Sequence, residues 1–475
     1  MLPAKFFFAD LTSKRPSHAL SFPSLSPRTA LVRVAFQVLL AVGAFLLNWS
    51  IERRLDHLGV LDRQDIVFDT DPRQRIVRFS DGFHQNDLTF YAHPCLGVVS
   101  VPIRLVAKVA GFAEMSVGTP SVSRRTLALL VAPICSALSA VVIFRVFLGA
   151  GMGDLVSAAG AILHQVSFSQ IVFGSIPDHF ALGGLAMSLV LLAGTGPTTG
   201  RTGWLRWGCA GLFAAGITIT QIIPTCLMFA ACCHQRGLRP LETLRHTATL
   251  GSLAVVAALS IGVIFNRLDA GQQTESFVRE AALYRRFFAR DPWGHAAGVI
   301  AAIPNSIAPP AARLVHRLAP SAKRPPSANR SPKLQHPPSA TLYPFEFTLE
   351  SAHDAGRIIA VGFLFLLGAV LGCRARDPIH RALCLGSIAI VTYNLVFHTF
   401  FGNEWFLYSE HWLAAAVFVI AGSLRLAETH RLPVLVATVV ALTLITFNNW
   451  RRIDKVLTFL EAYPPVPATP SGKPT

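Results

Sequence analysis

Acids, bases and cations that could act together are gathered in a few short stretches of this chain. The richest is Phe68-Asp69-Thr70-Asp71-Pro72-Arg73, followed closely by Arg75 and Arg78. Two carboxylates two residues apart, beside arginines, can hold a hydroxyl, a divalent cation or a phosphate. The same stretch of chain carries Asp62, Asp65, Asp81 and Asp87 and ends in His93-Pro94. A solvated loop with balanced charge would share this composition. Yet about forty residues separate the two flanking apolar runs, and loops of that length are more often functional than not.

Three further polar stretches interrupt apolar sequence. Gly174-Ser175-Ile176-Pro177-Asp178-His179-Phe180 sets an ionisable pair between two apolar runs. Asp after Pro at such a boundary suits a helix N-cap, and an isolated ionisable pair in an apolar region equally suits a functional role. Thr218-Ile219-Thr220-Gln221-Ile222-Ile223-Pro224 offers hydroxyls and an amide that can bond their own or a neighbouring helix. Phe401-Gly402-Asn403-Glu404-Trp405-Phe406-Leu407-Tyr408-Ser409-Glu410-His411-Trp412 contains aromatics that fit an interfacial belt. The belt leaves Glu404, Glu410 and His411 unexplained. Glu410 and His411 fall at a helix start, where an unpaired charge is costly, so they are expected to face a wet cavity.

The elements that must position these groups are membrane helices. The chain is 52% hydrophobic and 14% charged, against about a quarter charged in soluble domains, with a mean hydropathy of +0.48. Lipid is therefore the expected solvent. The formal net charge of +16 would suggest nucleic acid in a soluble protein. Here the Lys and Arg cluster between apolar runs and no nucleic-acid motif is present, so the charge reads as positive-inside bias and contact with anionic membrane lipids. The eight cysteines lack C-x-x-C spacing and read as small buried apolar residues rather than disulfides or a metal site.

Apolar segments fall at about 34–50, 95–113, 126–149, 155–173, 178–194, 204–219, 221–234, 247–266, 356–373, 382–400, 407–424 and 432–448. They predict an all-α, polytopic transmembrane bundle of about 10–12 spans with an outer-face loop after the first helix. Several are shorter than the ~20 residues of a comfortable span. Those at 155–173, 204–219 and 221–234 are expected to be broken or re-entrant.

By charge, the leader, Arg124–Arg125, the turn with Arg236, Arg239 and Arg245, and the turn with Arg374, Arg376 and Arg381 should be cytoplasmic. An even number of crossings then separates Arg125 from Arg236. Either 204–234 is one long helix and Pro177–Asp178 lies inside, or the run splits near Gln221–Pro224, 155–173 is re-entrant, and Pro177–Asp178 and Gln221 lie outside. The second keeps Arg201 and Arg206 inside and is preferred. Arg53, Arg54, Arg451 and Arg452 fit this scheme poorly. The expected organisation is a basic cytoplasmic leader (1–33), ending in an uncleaved anchor, and a membrane catalytic module (34–266) with its first outer loop at 51–93. An outer loop (267–355) follows, with an amphipathic helix near 274–290 and a disordered Pro-rich stretch at about 319–344. C-terminal transmembrane helices (356–450) and a Pro-rich tail (451–475) complete the chain.

Taken together, Asp69 and Asp71 soon after the first helix, His93–Pro94, Pro177–Asp178 and Thr220–Gln221 occur in an order that resembles the GT-C superfamily of membrane glycosyltransferases, which includes the protein O-mannosyltransferase and aminoarabinose transferase families. The resemblance covers roughly residues 34–235, with the segment around Glu404 and Tyr408 similar as well. Gln221 stands where the family pattern has Lys, which removes one cation from a phosphate site.

The resemblance implies an integral membrane enzyme that moves a hexosyl or pentosyl group from a polyprenyl-phosphate-linked donor to a lipid, glycan or protein acceptor. The reaction would run on the outer face of a bacterial inner membrane by single inverting displacement. Asp71, or Asp69 as second choice, would take the acceptor proton, a carboxylate being ionised at neutral pH. Arg73, Arg75 and Arg78 would hold the phosphate through their planar donor forks. His93, Asp178, His179, Gln221, Glu404, Tyr408 and His411 would line the donor site. A divalent cation is possible, although no ligand spacing demands one. The competing class is a multi-span transporter or lipid flippase, which would explain broken helices and buried polar groups without chemistry; no matching inverted halves are visible in the sequence.

Overall fold

The computed structural model describes residues 26–62, 70–81, 91–109, 122–270, 285, 288, 291–314, 345–348, 352–401, 405–424 and 431–462. They form a helical bundle. Six helices are long and apolar enough to cross a membrane, or seven if the bent pair described below is one span.

The first long helix, α1 (Pro27–His57), is started by Ser26, whose hydroxyl accepts the Thr29 N–H at 3.2 Å, with Pro27 at its first position. It stops at Gly59, which adopts φ 68°, a conformation open to glycine. Large apolar side chains such as Leu31, Leu39 and Leu46 stand exposed along it, as a lipid-facing helix requires.

Among the described residues, none between α1 and Val122 forms a helix long enough to cross. A short helix α2 (Pro72–Asp81), a 3-10 turn at Leu96–Val99, α3 (Ser100–Val109) and α4 (Val122–Leu129) pack together at one end of the bundle. Ten residues of α3 extend only about 15 Å, half the ~30 Å hydrocarbon core. The described part of the apolar run at 95–113, expected to be a span, is therefore too short to be one. α5 (Val131–Gly149) then runs antiparallel to α1: Asn48 meets Ser136 at 2.8 Å, and Gln37 meets Arg145 at 2.9 Å.

This overturns the expected side of Arg124–Arg125. Arg125 pairs with Asp56 at 2.6 Å and Asp62 at 2.7 Å, at the α2 end of the bundle. α6 (Asp154–Val166) starts at the opposite end, where Arg33 and Asp154 pair at 2.7 Å. It bends by 59° into α7 (Phe168–Gly174). α8 (His179–Gly194), α9 (Gly200–Ile217) and α10 (Ile222–Gln235) follow, so an odd number of rods separates Arg125 from Arg236. α9 and α10 are broken apart by a 3-10 turn at Ile219–Gln221.

The rest comprises α11 (Pro240–Ala270), α12 (Pro292–Ile307), α13 (Ala352–Cys373), α14 (Pro378–Phe400), α15 (Glu410–Gly422) and α16 (Arg431–Ala462). A short antiparallel pair, β1 (Ala311–Leu314) with β2 (Phe345–Thr348), joins α12 to α13. The expected all-α chain thus carries one two-stranded ladder. α12 lies within the stretch expected to be an outer loop, yet it packs on α13 and α14 and buries Ala302 and Ile307 in the core. Its internal Pro304 disguises the helix in the sequence. The expected amphipathic and disordered stretches fall almost wholly outside the described residues, as do Asp69 and Glu404.

Six or seven spans by length and composition are fewer than the ten to twelve expected. α8, α10 and α15 have 16, 14 and 13 residues and fall short of ~20. α8 and α15 are nonetheless buried on nearly every face, and helices apolar all round belong at a bundle's centre. The apolar core lies in two masses. One surrounds α5, α8, α10, α14 and α15, and the other gathers Ile51, Ile76, Phe79, Phe173 and Phe180 at the α2 end.

Candidate active site

The polar stretches meet at the α2 end, and helix geometry decides which of their residues take part. On α2 the buried positions are Pro72, Arg75, Ile76, Arg78, Phe79 and Ser80, close to a one-face helical spacing. Arg75 and Arg78 share the inward face, whereas Arg73, two residues before Arg75, is exposed. Arg73 is therefore not gathered into the site. Asp71 opens the helix, its carbonyl accepting the Arg75 N–H at 3.1 Å.

Asp178 is the centre of the cluster. It N-caps α8, and its Oδ1 accepts the His179 backbone N–H at 2.6 Å and Nδ1–H at 2.5 Å. Its Oδ2 accepts the Asp71 backbone N–H at 3.2 Å, and the Arg75 guanidinium lies 3.4 Å from Oδ1. Capping and the functional arrangement, alternatives in the sequence, coexist here. Burial pushes the carboxyl pKa up, but His179 and Arg75 outweigh it and hold it at about 2, so Asp178 is ionised at neutral pH.

The break between α9 and α10 supplies the next layer. It releases carbonyls from helical bonding: His93 Nδ1–H donates to Ile217 O at 2.7 Å and Cys95 N–H to Gly216 O at 2.8 Å. In return the Ile219 N–H donates to Ala92 O at 2.8 Å. This docks His93 against His179, ring centroids 4.2 Å apart. Burial first, then His179 and Arg75, depress the His93 pKa well below its usual range, which keeps the imidazole neutral. Arg78 reaches the His93 carbonyl at 3.5 Å.

Gln221 and His411 close the cluster from the other side. A side chain on Gly183 would lie 2.8 Å from Gln221 Nε2 and 3.4 Å from His411 Cδ2, so both press on the α8 backbone there. Gln221 is buried, and neither its amide N nor its O has a hydrogen-bond partner among the described residues. The His411 ring lies 6.1 Å from Phe180 and 5.9 Å from Tyr408.

Two participants lay outside the expected set. His398 stacks on Tyr408 at 4.2 Å. Glu410, expected in a wet cavity, is 1% exposed and accepts the Ser169 hydroxyl at 2.5 Å, with Ser409 2.6 Å from Ser169. The adjacency of Glu410 to His411 was the available signal; nothing nearby in sequence pointed to Ser169, 241 positions away.

Among the described residues no three His, Cys, Asp or Glu side chains stand close enough to hold a metal ion. Asp178 suits one poorly, because N–H donors and a guanidinium already take both its oxygens. The arrangement is a buried anion fixed between arginine and histidine, with the partly buried Asp71 joined to it through its backbone N–H. No protein-family model matches the sequence, and no curated protein matches it.

Proposed function

We propose that this chain is a membrane glycosyltransferase of the GT-C type, using a polyprenyl-phosphate-linked sugar at the α2 end of the bundle, on the extracytoplasmic side. One observation carries the reading: Asp71 and Arg75, from the polar segment after α1, meet Asp178 and His179 between two apolar helices. A chain of this length holds such groups together against the cost of burying charge, and function is the reason to do so.

The residues suggest the step. The acceptor hydroxyl attacks the anomeric carbon as the bond from that carbon to the phosphate oxygen breaks. The proton goes to Asp71, and the bonding pair leaves with the phosphate. Asp178 is unsuited as the base, since its oxygens are occupied. Arg75 has one face toward Asp178, while its Nη1 makes no hydrogen bond among the described residues; it and Arg78 would stabilise the leaving phosphate. Neutral His93, with His179, Gln221 and His411, would orient sugar and acceptor, and Asp69 and Glu404 remain candidates for the same tasks.

The bent α6–α7 pair also suits a transporter, in which broken helices frame a substrate. Vesicles holding the purified protein and a polyprenyl-phosphate sugar separate the two readings. The transferase reading expects glycosylated acceptor and free carrier phosphate from the wild type, and neither from Asp71→Asn, which should insert and melt like the wild type. Movement of the intact donor across the vesicle without any product sinks the transferase reading. Full activity in Asp71→Asn removes Asp71 as the base.

A further inference from the structure

A second site lies on the far side of α10, away from the polar cluster. Along α10, Ile222, Cys226 and Ala230 recur every fourth residue and line one face, and α11 opposes them with residues as small as Gly251 and Ser252. Small residues facing one another leave a groove, here two adjoining cavities of about 400 and 520 Å³ that share Ala230 and Thr247. From Ile222 to His234 the groove follows α10 for about 18 Å, close to the ~15 Å depth of one leaflet's hydrocarbon.

Its lower end is polar. Thr243 and Thr247 line it, and their hydroxyls are buried without a hydrogen-bond partner. Helical threonines usually bond back to the preceding turn, as Thr249 does to Arg245 O at 2.9 Å; these two do not. Arg239 and Arg245 adjoin the lining residues Pro240 and Leu244 in the chain, exposed and without an ion pair among the described residues. The one acid there, Glu242, is turned to the Arg239 backbone N–H at 3.2 Å.

We propose that the α10–α11 groove binds one anionic phospholipid of the adjacent leaflet. Its acyl chain lies along Ile222–Ala230, and its phosphate takes donors from Thr243, Thr247, Arg239 and Arg245. Apolar length, unpartnered hydroxyls and unpaired cations together match the parts of such a lipid. This site is independent of the transferase reading, and its test uses no activity.

The full chain is purified in detergent, equilibrated with phosphatidylglycerol or phosphatidylcholine of identical chains, and analysed by native mass spectrometry for retained lipid. Wild type should keep one phosphatidylglycerol about tenfold better than phosphatidylcholine, on the scale of two arginines near a phosphate. Arg239→Gln with Arg245→Gln should erase that preference, and Ala230→Phe, which fills the groove, should displace the lipid. Equal retention of the two lipids by the wild type, which requires no variant to fold, overturns the anionic site. Undiminished retention by folded Ala230→Phe overturns the groove as its seat.

Discussion

A carboxylate shut off from water survives only among donors, and Asp178 has His179, the Asp71 backbone and Arg75 around it. Removing one member of a buried ion pair strands the other. Asp178→Ala should therefore cost about 3–5 kcal/mol, read as a lower denaturation midpoint of the purified protein. About 1 kcal/mol of that belongs to the lost α8 cap. Adding Arg75→Met should recover much of the remainder, because the stranded charge is then gone. A double variant as unstable as the sum of the singles would show that Arg75 and Asp178 are not coupled. Arg73→Gln, at an exposed position two residues away, should shift stability by no more than about 0.5 kcal/mol. The three arginines at 73, 75 and 78 are equivalent as a sequence; the α2 helix separates them.

At the scale of elements, α8 and α15 touch so closely that a methyl group on Gly184 would collide with the Glu410 carboxylate. Gly184→Ala must displace Glu410 from Ser169, with an expected loss of about 1–3 kcal/mol in the unfolding free energy. In a Glu410→Ala background the same change should cost nothing further; an unchanged penalty there would place the conflict elsewhere on the helix. This contact also shows where sequence reading stopped. The break at Ile219–Gln221 and the bend near Ser167 were legible, because polar residues interrupt apolar runs too short to span. The contacts of Asp71 with Asp178 and of His93 with His179 were foreshadowed only by the order in which these polar stretches follow one another along the chain. The short α3 helix within the run at 95–113, the α12 helix with its Pro304, and the Ser169–Glu410 bond were not legible. Hydropathy reports composition along a segment and is blind to whether the segment folds back.

Across the whole molecule, the α2 end pairs more of its cations with acids than the other end, where Arg33 with Asp154 is an ion pair. At the α2 end Arg54 pairs with Glu461 at 2.7 Å, Arg125 with Asp56 and Asp62, and Arg452 lies 3.7 Å from Asp354. At the other end Arg206 and Arg236 turn to carbonyls around the end of α8, and Arg239 and Arg245 stay exposed. Arg53, Arg54 and Arg452, at the α2 end, were among those that fitted a positive-inside scheme poorly; paired with acids, they no longer present the charge excess that sets orientation. The expected outcome is that cysteines placed at Asp62 and Arg124 react with a membrane-impermeant thiol reagent from the same side of sealed vesicles. Cysteines at Arg239 and Arg376 should react only from the opposite side, with the unmodified chain as the background for its own cysteines. If 62 and 124 label from opposite sides, a crossing lies between α1 and α5, and the packing of α2, α3 and α4 at one end is wrong.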